Sequence, residues 1–148
     1  MSEPIRVLFV CTGNSARSIL AEALLRHVGG ERFEAASAGT HPSGVHPLAT
    51  RVLDEAGISS DGLRSKPIEA FVATSFDYVI TLCDDARAIC PVFPGADQSL
   101  YWGYGDPAAV EGSDEERLEA FRRVFTHIGE RVRQFALIAG RNSRAGVA

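Results

Sequence analysis

Apolar residues recur along this chain in two rhythms. Ile5 to Val10 is a nearly continuous apolar run with β-branched members, the signature of a strand buried on both faces of a parallel sheet. From Ile19 the spacing becomes helical, through Leu20, Ala23, Leu24 and Val28, and Gly29-Gly30 stops that helix. Phe33 to Ala38 predicts a second strand ending at Gly39, and Pro47 to Ala56 a helix with Gly57 at its C-terminal stop. Phe76 to Leu82 reads as a strand followed at once by Cys83, and Leu100 to Trp102 as a short last strand. The clearest helix opens on a Ser113/Glu116 capping-box pattern. Its apolar residues Leu118, Phe121, Phe125, Ile128, Val132 and Phe135 fall at steps of three and four. That stripe covers about two heptads, too short for a coiled coil, so it predicts a helix packed on a core. Arg141 to Ala148 is polar and Gly-containing, which predicts a frayed, flexible tail after a single domain at 1–140.

Strands that alternate with helices predict an α/β fold: an open, mostly parallel four-stranded sheet flanked by helices. In such sheets the functional loops lie at the carboxyl ends of the strands. Cys11 and Cys83 each follow a predicted strand and so fall on that edge. The length of 148 residues suits one domain with a real core. The net charge of -4 argues against nucleic acid or an anionic membrane as partner. No apolar stretch approaches ~20 residues, and Met1-Ser2-Glu3-Pro4 does not resemble the start of a signal peptide. A cytoplasmic, reducing location is the expectation, where three cysteines are reactive groups rather than a structural framework.

Chemistry concentrates in Cys11-Thr12-Gly13-Asn14-Ser15-Ala16-Arg17-Ser18. A tetrahedral oxyanion needs several donors converging from one side. Successive backbone N–H groups of a tight loop supply them, and the helix that begins near Ala16 adds unpaired N–H groups and a positive dipole end. Gly13 permits backbone angles that other residues resist. Arg17 can grip two oxygens in a fork. The same positive field favours a thiolate at Cys11, to which Ser18 could donate a hydrogen bond. The segment lacks G-x-x-x-x-G-K-[ST], so it is no nucleotide P-loop.

Cys-x-x-x-x-x-Arg-Ser directly after the first strand resembles the low-molecular-weight protein tyrosine phosphatase-like family. Ser37-Ala38-Gly39-Thr40 and Asp106-Pro107 match it too, and the resemblance spans about Ile5 to Ala139. It implies that Cys11 is the nucleophile, that residues 12–17 bind the oxyanion and that Asp106 is the general acid. The family holds phosphatases and thioredoxin-coupled arsenate reductases. Thr81 to Pro91, with Cys83 and Cys90, and Tyr101 to Ala108 resemble the reductases. Phosphatases carry aromatic residues after Asp-Pro, where this chain has Ala108 and Ala109. The resemblance therefore implies arsenate reduction through Cys11, Cys83 and Cys90, with thioredoxin as electron donor, no bound cofactor and no metal. Phosphate or sulfate would compete with arsenate, and a monomer is expected. A phosphatase, or a silent anion-binding or redox-sensing protein, is the alternative.

Within that relay the spacing adds a constraint. Were residues 83–90 helical, seven steps of ~1.5 Å would part the two Cα atoms by about 10 Å. A disulfide tolerates at most ~7 Å, so any helix there must unwind when the bond forms. The chain also departs from its family. Ala16 stands where members often carry a further cysteine. Some reductases bind a potassium ion beneath the anion loop, and Asn14, Glu22 and Ser37 match positions used there. Lys66 falls where an acidic ligand is expected, so either its ammonium replaces the ion and pairs with Glu22 or its neighbours, or it is a solvated lysine before Pro67. His27, His41, His46 and His127 have no metal spacing and read as loop or surface residues. Trp102, Tyr101 and Tyr104 either shape the acid loop or pack beside it.

Overall fold

The computed structural model describes residues 3–82 and 96–147, and among these described residues the chain forms four strands and three α-helices. The strands are β1 (Ile5–Cys11), β2 (Phe33–Gly39), β3 (Tyr78–Thr81) and β4 (Gln98–Tyr101). The helices are α1 (Arg17–Gly29), α2 (Pro47–Glu55) and α3 (Asp114–Val147). The sheet has the order β2-β1-β3-β4 and every neighbouring pair is parallel. This is the α/β sheet expected from the alternating pattern.

β1 lies between two strands, and Val7, Leu8, Phe9 and Val10 have no exposed surface. That is why its sequence shows no polar alternation. The chain leaves β1 toward β2 on one side and toward β3 on the other, which makes the carboxyl end of β1 a topological switch point. Cys11 pairs with Gly39 there, and the Leu82 N–H bonds the Val10 carbonyl at 2.8 Å.

α1 is buried from Arg17 through Leu25, more completely than its one-sided apolar spacing suggested. It packs on β1, β2 and α3. Phe135 of α3 gathers Phe33, Tyr78 and Trp102 at ring separations of 6.0, 4.9 and 5.8 Å. The capping box forms as read: the Glu116 N–H bonds Ser113 Oγ at 3.1 Å and the Ser113 N–H bonds Glu116 Oε1 at 3.2 Å.

Several boundaries differ from the sequence reading. β3 starts at Tyr78 because Asp77 instead closes on Arg6, its carboxylate accepting the Arg6 N–H at 2.8 Å. β4 starts at Gln98, before Leu100, and ends before Trp102. Its polar Gln98 and Ser99 pair through the backbone at an exposed sheet edge, where apolar spacing carries no signal. α2 ends at Glu55, and Gly57 has the expected left-handed φ of 71°. The backbone of α3 stays helical to Val147, across the stretch read as a frayed tail. Arg141, Arg144 and Ala145 are good helix formers and no proline interrupts them.

Candidate active site

The β1–α1 loop is held open by its carbonyls. Those of Cys11, Thr12, Gly13 and Ser15 accept from the backbone N–H groups of Thr40 (3.2 Å), His41 (2.8 Å), Ser43 (2.9 Å) and His46 (2.9 Å). The Ser65 hydroxyl lies 2.9 Å from the Asn14 carbonyl and 3.0 Å from that of Gly13. With the carbonyls drawn outward, trans peptide geometry turns the following N–H groups to the inner side. α1 begins at that point with Ala16 as N-cap, no side-chain cap and no acidic residue in its first turn. Its first amides are thus left for an anion.

Close approach, rather than unusual torsion, explains the glycines here. Gly13 does not adopt a positive φ, contrary to the expectation from sequence; the left-handed residue of the loop is Asn14, with φ 45°. A Cβ on Gly13 would meet Ser43 Oγ at 2.8 Å. One on Gly39 would lie 2.6 Å from the Thr12 carbonyl oxygen and 2.8 Å from the Asn14 nitrogen.

Cys11 is buried, its sulfur 2.8 Å from Ser18 Oγ. Asn14, fully buried, sits behind the loop. Its Oδ1 accepts the Lys66 N–H at 2.8 Å, so its Nδ2 faces Ser18 Oγ (2.8 Å) and Ser37 Oγ (2.9 Å). Ser18 thereby accepts from Asn14, leaving its O–H to donate to the sulfur. The Asn14 backbone belongs to the loop, while its side chain braces the loop from behind.

Arg17 reaches over from the first turn of α1. Its Nη1 donates to the Tyr104 carbonyl at 3.1 Å and its Nη2 lies 3.8 Å from Asp106 Oδ2. Its Nε is buried without a partner among the described residues. A buried guanidinium N–H in that condition is what an anion in the loop would satisfy. Asp106 caps the turn at Pro107–Ala109 by accepting the Ala108 N–H at 2.9 Å, and its side chain is 44 % exposed.

Cys11, Thr12, Gly13, Ser15, Ala16, Arg17 and Asp106 line one cleft. Cys83 and Cys90 lie outside the described residues. Trp102 packs in the core, 6.0 Å from Phe9 ring to ring.

Two neighbours escaped the sequence reading. Ser65 lies in a stretch without periodicity and shows its role only through the loop carbonyls. His46 lines the same cleft and caps α2, its Nδ1 accepting the Leu48 N–H at 3.1 Å, so Nε2 carries the proton. Burial pushes His46 below the usual histidine range; Arg117 acts the same way, and Asp106 opposes both. Lys66 is also lowered, by burial first, against the pull of the Glu22 carboxylate.

The chain belongs to the low molecular weight phosphotyrosine protein phosphatase family, which it matches over residues 6–144. Its relatives include an arsenate reductase of Halalkalibacterium halodurans, 39% identical over 130 residues that cover 88% of this chain and 94% of that one. Among solved structures it is similar to an arsenate reductase in a phosphate-binding state. The TM-score is 0.74 at 34% identity, covering 90% of this chain and 97% of the other. It is also similar to a thioredoxin-dependent arsenate reductase of Corynebacterium glutamicum, with TM-score 0.69 and 31% identity over 99% of this chain and 65% of that one.

Proposed function

We propose that this protein reduces arsenate to arsenite, with Cys11 as nucleophile and thioredoxin as electron donor. The observation that carries the reading is the cleft lined together by Cys11, the loop residues Thr12, Gly13, Ser15 and Ala16, Asp106, and Arg17, whose Nε has no partner among the described residues. The names of the relatives support arsenate as the oxyanion.

The chemistry runs in steps. The Cys11 thiolate forms a bond to the pentavalent arsenic while Asp106 protonates an oxygen that leaves as water. The amides of residues 12–17 and the Arg17 guanidinium hold the remaining oxygens. The Cys83 thiolate then attacks the Cys11 sulfur. The sulfur–arsenic bond breaks, its electron pair stays on arsenic, and arsenite departs from a Cys11–Cys83 disulfide. Cys90 attacks Cys83, releasing the Cys11 thiolate and leaving Cys83–Cys90, which the dithiol of thioredoxin reduces. Support for Cys83 is its place in the chain directly after Leu82, which bonds the Val10 carbonyl beside Cys11.

Arsenate-dependent NADPH oxidation with thioredoxin and its reductase tests this on the wild type and on Cys11→Ser, Cys83→Ser and Cys90→Ser. Turnover in the wild type and its loss in all three variants are expected. A Cys83→Ser variant that keeps cleaving phosphate esters while the wild type ignores arsenate would establish a phosphatase instead. Ala108, which lines the cleft after Asp106-Pro107, offers no aromatic face for a phosphotyrosine ring.

A further inference from the structure

Behind the anion loop sits a carboxylate that touches no part of the reaction described above. Glu22, on α1, is 1 % exposed. A carboxylate so buried is costly unless countercharges and hydrogen bonds meet it. Here three groups do. The Ser37 hydroxyl donates to its Oε1 at 2.5 Å. The Lys66 ammonium lies 3.8 Å from the same oxygen, with its side chain 16 % exposed. Arg26, one turn further along α1, pairs with Oε2.

These contacts give a hydrogen-bond chain a direction. Ser37 spends its only O–H on Glu22, so its oxygen accepts from Asn14 Nδ2. Asn14 is held in that orientation by the Lys66 backbone N–H on Oδ1, and its Nδ2 also donates to Ser18. Ser18 then has its O–H for the Cys11 sulfur. The donors diverge from the Asn14 amide: one branch runs through Ser37 to the carboxylate, the other through Ser18 to the sulfur, so fixing the first branch fixes the second.

The oxygens that a potassium ion would use in this family are therefore already engaged. Asn14 Oδ1 is held by an N–H, and both Glu22 oxygens by cations. The Lys66 ammonium also donates to the Arg64 carbonyl at 2.7 Å, which closes it over the position. These residues do not fit a metal ion. We propose that Lys66 and Arg26 together are a built-in cation that balances Glu22 and so fixes the donor direction of the chain ending on Cys11. Lys66 is a positioning residue, acting through Glu22, Ser37, Asn14 and Ser18. The inference takes Cys11 as the nucleophile, as above, but does not depend on which oxyanion it attacks.

The test uses the full chain with Cys83→Ser and Cys90→Ser, so that Cys11 is the sole thiol, and no arsenate. The thermal midpoint and the ultraviolet absorbance of the thiolate are read in potassium chloride and in choline chloride at equal ionic strength. Without further change, neither quantity is expected to differ between the two salts. Lys66→Asp is expected to lose midpoint and thiolate signal in choline and to regain both in potassium. Lys66→Gln is expected to lower the thiolate-to-thiol ratio about tenfold, the scale of one charge-assisted hydrogen bond. A gain of midpoint or thiolate signal on adding potassium to the protein with Lys66 intact would overturn the proposal. So would a Lys66→Gln variant with an unchanged thiolate signal. Should Lys66→Asp not fold in choline, those two arms decide alone. Because no arm contains arsenate, failure of the reductase reading leaves these outcomes untouched, and the reverse holds too.

Discussion

His46 joins three tasks in one ring. It caps α2 through Nδ1, lines the cleft and stacks on Phe121 at 4.7 Å. A protonated Nδ1 could no longer accept the Leu48 N–H. Burial holds the folded-state pKa below 6.5, so between that value and 6.5 the unfolded chain binds more protons than the folded one. Stability therefore rises with pH across this interval and is lost as pH falls through it. His46→Asn keeps a capping acceptor and removes the titration. Urea midpoints taken on both sides of pH 6.5 are expected to fall less in the variant than in the wild type. Equal losses would mean that the ring's charge does not matter to the fold.

Among the elements, the decisive junction is where the end of β2 supports the loop between β1 and α1. Thr40, His41 and Ser43, just past β2, donate to loop carbonyls, while Gly39 lets the two backbones touch. A methyl at Gly39 would collide with backbone on the loop side, where no flexible side chain can yield. Gly39→Ala is expected to destabilise the fold by about 1–3 kcal/mol, the scale of overpacking. It is also expected to weaken oxyanion binding more than a similar loss made in α3. Calorimetry with phosphate on the two variants separates these effects, and equal affinities would remove Gly39 from the site. α2 contributes differently. The Arg122 fork on Glu55, at 3.0 and 2.7 Å, ties it to α3 and lowers the Glu55 pKa, but both groups are exposed and the pair adds little.

For the molecule as a whole, the loop, the start of α1 and the Arg17 side chain form a binding site that exists only when the sheet is assembled. An oxyanion that binds only the folded state stabilises it by mass action, by about 2.7 kcal/mol at a hundredfold excess over Kd. Phosphate or sulfate is accordingly expected to raise the wild-type thermal midpoint. Arg17→Lys, which loses the Nε donor and the fork, is expected to blunt that rise. A midpoint indifferent to both anions at constant ionic strength would count against the cradle.

Much of this was legible in the chain because the signals are local. The buried run before Cys11, the helical spacing after Ile19, the Ser113/Glu116 box and the Gly-containing loop each declare themselves within a few residues. Edge strand β4 declared itself only from Leu100, since Gln98 and Ser99 lie on an exposed edge with no apolar face to pattern. The reason for Gly13 also required coordinates, because a close contact with Ser43 is not encoded in neighbouring residues. Sequence by itself determined the alternation of elements and the reactive loop, since periodicity and capping are properties of adjacent positions. Only the tertiary structure decided that Ser65, His46 and Gly39 shape the loop, and between the two readings of Lys66 it decided for the pairing with Glu22, because those residues meet through packing between segments far apart in the chain.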